Sequence, residues 1–269
     1  MPMRLGCNTV LFARTPALEA VRLVQLAGFS GIELASLPGG AEHLSPEDPE
    51  GSAATVEAAR AAGLELVSVE AATNLFDPAS RERLYRVFAL CARLGIPVVT
   101  TGSAGPATPE GLEAFLPVAR EVARQARDAG ITWACKPHVG AAVYSTDSAL
   151  RLVREVDEPA LGLNYDPTHL QRVGEDVVRS AATLAPYIRH VHIRDYSSPD
   201  TRIGPPELQT AGRGLVDLRG VLGALHANGY NGYLDLEVIG ADSLEPVAQM
   251  AIAAGSWGYL TRILRELGA

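Results

Sequence analysis

One junction recurs along the chain: a helical segment ends at or near a glycine, and a short apolar, β-branched stretch follows at once. It is visible in LAGFSGIEL, AAGLELVSV, RLGIPVVTT, DAGITWACK and ANGYNGYLDLEV, and in looser form in EVDEPALGLNYD and LAPYIRHVHI. Glycine just past a helix supplies the left-handed cap conformation. The stretches that follow are apolar without strict alternation, as parallel strands buried on both faces are. The pattern places strands near 4–8, 31–36, 65–71, 97–102, 131–136, 160–166, 188–194 and 233–238. Helices fall near 16–28, 50–62, 80–94, 109–129, 146–156, 171–184, 216–228 and 243–266, with Thr15-Pro16, Thr108-Pro109 and Thr146-Asp147 as helix starts. A repeat of about 25–35 residues is the size of a βα unit. Eight units close into an α/β fold, a single (β/α)8 TIM barrel domain over residues 1–269. A doubly wound open sheet would want a G-x-G-x-x-G turn after its first strand, and CNTVLFART has none.

With 47% hydrophobic residues the chain can bury a sizeable core. Its formal charge of −8 argues against nucleic acid and anionic membranes as partners. No apolar run is long enough to span a bilayer, and the N-terminal residues do not read as a signal peptide. Cys7, Cys91 and Cys135 are far apart in apolar contexts, which suits buried thiols in a reducing cytoplasm. Lys and Arg total 23, yet Lys136 is the single lysine.

In a barrel, the last inward residue of each strand meets the active site at the C-terminal face. Here those positions are polar: Glu33, Glu70, Thr100 and Thr101, Lys136 and His138, Asn164, Asp166 and His169, His190 and His192, Asp235 and Glu237. Glu33 is as readily a helix cap or an arginine partner as a site residue. Asp235 is expected to pack a layer deeper, and His190 to be a satisfied interior residue one step below His192. Asp166, His192 and Glu237 lie on three consecutive strands at equivalent depth. Burying such groups costs several kcal/mol unless they are paired or bind a metal. Carboxylate and imidazole ligands suit manganese, iron, cobalt or zinc, and magnesium less well. Two long loops, 37–49 and 196–214, follow strands and should shape the substrate site.

At these residues the chain resembles the xylose isomerase-like TIM barrel superfamily of sugar isomerases and epimerases, inosose and dehydroshikimate dehydratases and endonuclease IV. MRLGCNTVLF and AGFSGIEL resemble its first unit, NYDPTH its sixth strand and HVHIRD its seventh. AGRGLVDLRGVLGALHANGYNGYLDLEV resembles its closing unit, which includes the Gly212-Arg213-Gly214 turn. The resemblance implies that Asp166, His192 and Glu237 are metal ligands, that His169 contacts substrate, and that the chain is an enzyme of carbohydrate metabolism. Barrels of this kind commonly pair into homo-oligomers. The fourth family ligand is a strand-5 glutamate, which in the epimerases is also one of two acid/base groups. This chain has Lys136-Pro137-His138 there. Three readings of Lys136 stay open besides a plain salt bridge. Its ammonium replaces the metal; or a metal stays on Asp166, His192 and Glu237 while Lys136 contacts substrate; or burial lowers its pKa so that it acts as base or Schiff-base nucleophile.

The expected function is a sugar or cyclitol isomerase or epimerase. It removes the proton beside a carbonyl of a small polyhydroxylated substrate, with the enediolate stabilised by a divalent metal or by Lys136. Glu237 is expected to move the proton, with Lys136 and His169 also catalytic, and His138, Glu70, Arg194 and Arg213 binding substrate. The alternatives are a lyase or dehydratase that shares the first step, and a non-catalytic sugar-binding barrel. Nucleic-acid repair is disfavoured: strands 3 and 4 end without the histidines that such enzymes use.

Overall fold

The computed structural model describes residues 2–71, 74–197 and 202–269. Residues 198–201, within the expected loop 196–214, lie outside the described residues. The strands are β1 (Arg4–Asn8), β2 (Gly31–Ala35), β3 (Glu65–Glu70), β4 (Val98–Thr101), β5 (Thr132–Cys135), β6 (Leu161–Tyr165), β7 (Ile188–Ile193) and β8 (Tyr233–Leu236). They pair in parallel in chain order, and β8 pairs with β1 to close the barrel. The helices are α1 (Ala17–Leu26), α2 (Pro49–Ala61), α3 (Pro78–Leu94), α4 (Pro109–Asp128), α5 (Thr146–Val156), α6 (Pro167–Gln171), α7 (Val177–Leu184), α8 (Leu218–Ala227) and α9 (Pro246–Leu267).

The expected helix at 171–184 is two helices. α6 starts at once after β6 because Asp166 caps it, its Oδ1 accepting from the Thr168 backbone N–H at 2.9 Å, and Pro167 fills the first turn. Thr108 caps α4 as expected. Two other expected caps move. Pro16, not Thr15, precedes α1 and gives no side-chain bond, while α5 is capped by Ser145 in a reciprocal capping box with Ser148. The helices pack their apolar faces onto the barrel, and Cys7, Cys91 and Cys135 are free and buried there, as expected.

Inside the barrel the filling is polar rather than the bulky aliphatic layers usual in this fold. Glu33, Ser68, Thr100, Asn164, His190, His192 and Asp235 are all buried. Asp235 does pack deep, against β1, and only a glycine leaves room for it. A Cβ on Gly6 would stand 2.0 Å from Asp235 Oδ1. Among the described residues, no helix is long and apolar enough to cross a membrane.

Candidate active site

At the C-terminal mouth of the barrel lies a cavity of about 610 Å³. Its polar wall is made by Glu70, Lys136, His138, His169, Arg172 and Arg194, with Glu237 behind them. Leu37 and Ile203 come from the two long loops, which places both loops at the mouth. Arg213 is not among the lining residues. The positive φ of Gly212 turns the chain there and leaves the Arg213 side chain exposed, so the structure does not bring this expected substrate contact into the site.

Arg194 holds two strands together. Its Nη2 donates to Asp166 Oδ2 at 3.1 Å, its Nη1 to Glu237 Oε2 and to the Glu237 carbonyl, and its Nε to Thr168 Oγ1 at 3.2 Å. Burial disfavours this guanidinium's charge, but Asp166 and Glu237 outweigh that and raise its pKa. Asp166 has its other oxygen committed to Thr168, whose N–H and hydroxyl both donate to Oδ1. Burial pushes its carboxyl up, yet Arg194 and His169 hold it well below the usual range.

Lys136 Nζ donates to Glu237 Oε1 at 2.6 Å and stands 3.7 Å from Glu70 Oε1. Burial pulls the ammonium's pKa down, but Glu237, Glu70 and Asp166 prevail and the net shift is upward. That direction opposes the reading of Lys136 as a neutral base or Schiff-base nucleophile. Glu237 is pushed up by burial and pulled down further by Arg194, Lys136 and His192, so it stays an anion well below the carboxylate range.

Glu33 is neither a helix cap nor an arginine partner but the hub of the barrel floor. Its Oε2 accepts from Asn8 Nδ2 at 2.7 Å and pairs with His192 Nε2 at 2.5 Å, and its Oε1 accepts from Ser68 and Thr100 hydroxyls, each at 3.0 Å. His192 Nδ1 lies 3.2 Å from Glu237 Oε1. Burial would lower the His192 pKa, but Glu33 raises it, with Glu237 adding, to about 10. His192 is therefore an imidazolium between two carboxylates. His190, expected to be satisfied, has an unbonded Nε2, 3.4 Å from Glu33 Oε1 and 3.7 Å from Asp235 Oδ2. Burial keeps it neutral, and burial followed by Glu33 holds Asp235 protonated.

His138 and His169 stack with ring centroids 3.9 Å apart. Both are pushed down by burial. His138 Nδ1–H donates to the Val139 carbonyl at 2.7 Å, so its Nε2 is the free acceptor. His169 Nε2 accepts from Arg194 Nη2 at 3.1 Å.

Asn8 escaped the sequence reading, although it ends β1 as the other site residues end theirs. One amide nitrogen donates to both Glu33 Oε2 and Glu70 Oε2, each at 2.7 Å. Glu70 is raised by burial, then by Glu237, to about 7.

Among the described residues, two groups of side chains are close enough to hold an ion, Glu33 with His190 and His192, and Glu70 with His192 and Glu237. Asp166 belongs to neither. As they stand, these residues do not fit a divalent ion. Glu237 has one oxygen under Lys136 and the other under Arg194, Glu33 accepts from four donors, and His192 has Nε2 on Glu33 and Nδ1 facing Glu237. Of the expected set, Asp166 and Glu237 are joined by Arg194, Glu237 also takes Lys136, and His192 pairs with Glu33.

A sequence model of the xylose isomerase-like TIM barrel family matches residues 21–258. Among solved structures, the chain is similar to a xylose isomerase domain protein from Planctomyces limnophilus, with TM-score 0.79, 17% identity, and 100% of this chain and 99% of that one covered. It is similar also to D-allulose 3-epimerase from a Methylomonas species, with TM-score 0.76, 18% identity, and 97% and 98% covered. These likenesses show the fold. In sequence, the chain is 31% identical over 112 residues to inosose dehydratase from Geobacillus thermodenitrificans, covering 37% of this chain and 38% of that protein. It is 43% identical over 53 residues to 3-dehydroshikimate dehydratase from Bacillus anthracis, covering 20% and 19%. The chain thus spans less than half the length of these curated relatives.

Proposed function

This chain belongs to the xylose isomerase-like TIM barrel family, and from that premise we propose that it is an enzyme that moves a proton at the carbon beside a carbonyl group of a small polyhydroxylated compound. The observation that carries the reading is the composition of one cavity wall, where carboxylate, ammonium, guanidinium and two neutral imidazoles meet in about 610 Å³. A C–H beside a carbonyl gives up its proton readily only when the developing enediolate oxygen meets a fixed positive charge. Lys136 and Arg194 are such charges, held in place by Asp166 and Glu237 and hence already oriented before substrate arrives. His138 Nε2 accepts a substrate hydroxyl, and His169, stacked against it, closes that side of the cavity.

The site works on this reading without a divalent ion. Three of the four buried carboxylates of the site, Glu33, Asp166 and Glu237, are matched by three cations, His192, Arg194 and Lys136. Glu70 alone is left unmatched, so a divalent ion would bring two charges to a set that lacks at most one.

Isomerisation or epimerisation is the first reading. A dehydratase is the second, favoured by the names of the curated relatives, which share stretches of this sequence. The test is to incubate the protein in heavy water with D-allulose, an inosose and 3-dehydroshikimate, with and without chelator. Deuterium entering the carbon beside the carbonyl, unaffected by chelator, is the expected result. A new ketose or aldose then identifies an isomerase, and an unsaturated product a dehydratase. No exchange with any of these compounds would sink the reading in favour of a binding barrel.

A further inference from the structure

We propose that Glu70 is the group that takes and returns the substrate proton, and that Glu237 serves to anchor Lys136 and Arg194; this assignment rests on the reading of proton transfer beside a carbonyl. The sequence points to Glu237 for that work, because it lies in a recognisable motif. The geometry points elsewhere. Both Glu237 oxygens accept from cations, Lys136 on Oε1 and Arg194 on Oε2. Asp166 is equally committed, to Thr168 on one oxygen and Arg194 on the other. Glu33 lies on the floor beneath them with four donors and does not line the cavity. A carboxylate whose two oxygens both already accept strong hydrogen bonds is a poor proton acceptor.

Glu70 differs in both respects. It lines the cavity, and only its Oε2 is tied, by Asn8 Nδ2 at 2.7 Å. Its Oε1 stands 3.7 Å from Lys136 Nζ, too far for a hydrogen bond. It is also the fourth carboxylate in a set with three cations, so it is the one whose proton costs least to move. Asn8 fixes its rotamer without giving it a charge, and bridges it to Glu33 on the floor. Consistent with this, burial and then Glu237 bring its pKa to about 7, where a general acid/base works best at neutral pH.

The step balances without any added reactant. Glu70 Oε1 takes the proton from the C–H bond, whose electron pair becomes the new C=C bond. The carbonyl π pair moves onto oxygen, and the Lys136 ammonium, beside Glu70, donates to that oxygen. For isomerisation Glu70, now a carboxylic acid, returns its proton to the neighbouring carbon. The hydroxyl proton on the first carbon passes by way of Lys136 to the enediolate oxygen, and that first C–O bond becomes the new carbonyl. For elimination the proton goes to a departing hydroxyl that leaves as water, as the enolate pair returns to the carbonyl and the C=C bond shifts to the carbon that lost the hydroxyl.

The test compares wild type, Glu70→Gln, Glu70→Asp and Glu237→Gln in the heavy-water exchange assay over a range of pH, beside infrared titration of protonated carboxyl groups in wild type and Glu70→Gln. Glu70→Gln is expected to lose about 10²–10⁴-fold in exchange rate with KM little changed. Glu70→Asp should keep part of the rate and the inflection near neutrality. Glu237→Gln should keep that inflection in whatever activity remains. The infrared band that titrates near pH 7 in wild type should be missing in Glu70→Gln. Exchange by Glu70→Gln within about threefold of wild type, far short of a general-base loss, overturns this role alone, as does an unchanged infrared titration. A wild type that exchanges no proton with any of the three compounds overturns the proposed function and this role together.

Discussion

The Lys136 ammonium donates to Glu237 Oε1 at 2.6 Å, tying the residue after β5 to the residue after β8 across the mouth of the barrel. This is where the family resemblance implies a glutamate and a metal ion. A lysine there contributes a positive charge that needs no ligands. Its neighbours then behave as partners of an ammonium rather than as a coordination shell. Four measurements probe this arrangement and the packing beneath it.

If Lys136 stands in for the ion, restoring the carboxylate should restore metal binding. Lys136→Glu leaves Glu237, Glu70 and the new carboxylate facing each other with one cation fewer, and such a set binds a divalent ion or repels itself. Elemental analysis after dialysis against manganese or zinc is expected to find far less than one ion per wild-type chain, and about one per chain in the variant. Equal content in the two proteins would argue against the substitution of ammonium for metal.

Glu70 makes stability depend on pH in an unusual direction. Its folded pKa is raised, by burial first and then by Glu237, from 4.5 to about 7. The folded state therefore binds this proton more tightly than the unfolded chain does. Its contribution is fully present below about pH 4.5 and is lost as pH rises toward 7, amounting to about 3 kcal/mol across that window. Urea midpoints of wild type relative to Glu70→Gln should fall between pH 5 and 8, because glutamine cannot ionise. A constant difference would mean that Glu70 does not titrate there.

Arg194 is the counter-charge of two buried carboxylates at once. Arg194→Leu strands Asp166 and leaves Glu237 with Lys136 and His192 only, a loss of about 3–5 kcal/mol in unfolding free energy. Arg194→Lys keeps the charge but cannot fork to both carboxylates and Thr168, so it should recover only part of that loss. Denaturant melts of the three proteins order these outcomes. A lysine variant as stable as wild type would show that charge alone matters.

Gly6 and Asp235 are coupled by contact. A Cβ on Gly6 would come within 2.0 Å of Asp235 Oδ1, so Gly6→Ala should cost about 1–3 kcal/mol through overpacking. Neither Asp235 oxygen has a hydrogen-bond partner, so Asp235→Ser removes an unsatisfied group as well as the clash. The double variant should be more stable than Gly6→Ala alone. Additive losses in a double-mutant cycle would show that the two residues do not touch.

The barrel was legible in the chain itself. Five of the helix-to-strand junctions carry a cap glycine as well as an apolar strand, and two more keep the apolar strand, signals that are local and recur along the chain. The sequence also marked which strands end in polar groups, since in a closed barrel alternation alone sends those side chains inward. Lys136 stood out as the single lysine at a position where the resemblance implies glutamate. What no local pattern could decide was pairing. Asp166, His192 and Glu237 looked alike in spacing, yet Asp166 caps α6 and binds Arg194, His192 serves Glu33, and Glu237 serves Lys136. Arg194 and Arg213 read alike as substrate contacts, and only the fold buries one between two carboxylates and leaves the other exposed on a turn. Partners such as Glu33 and His192 are 159 residues apart and meet at 2.5 Å because the barrel closes. Charge, burial and protonation belong to such sets of neighbours, so the sequence determined the scaffold and its inward-facing groups, and the tertiary structure decided which of them are bound to each other and which remains free to act.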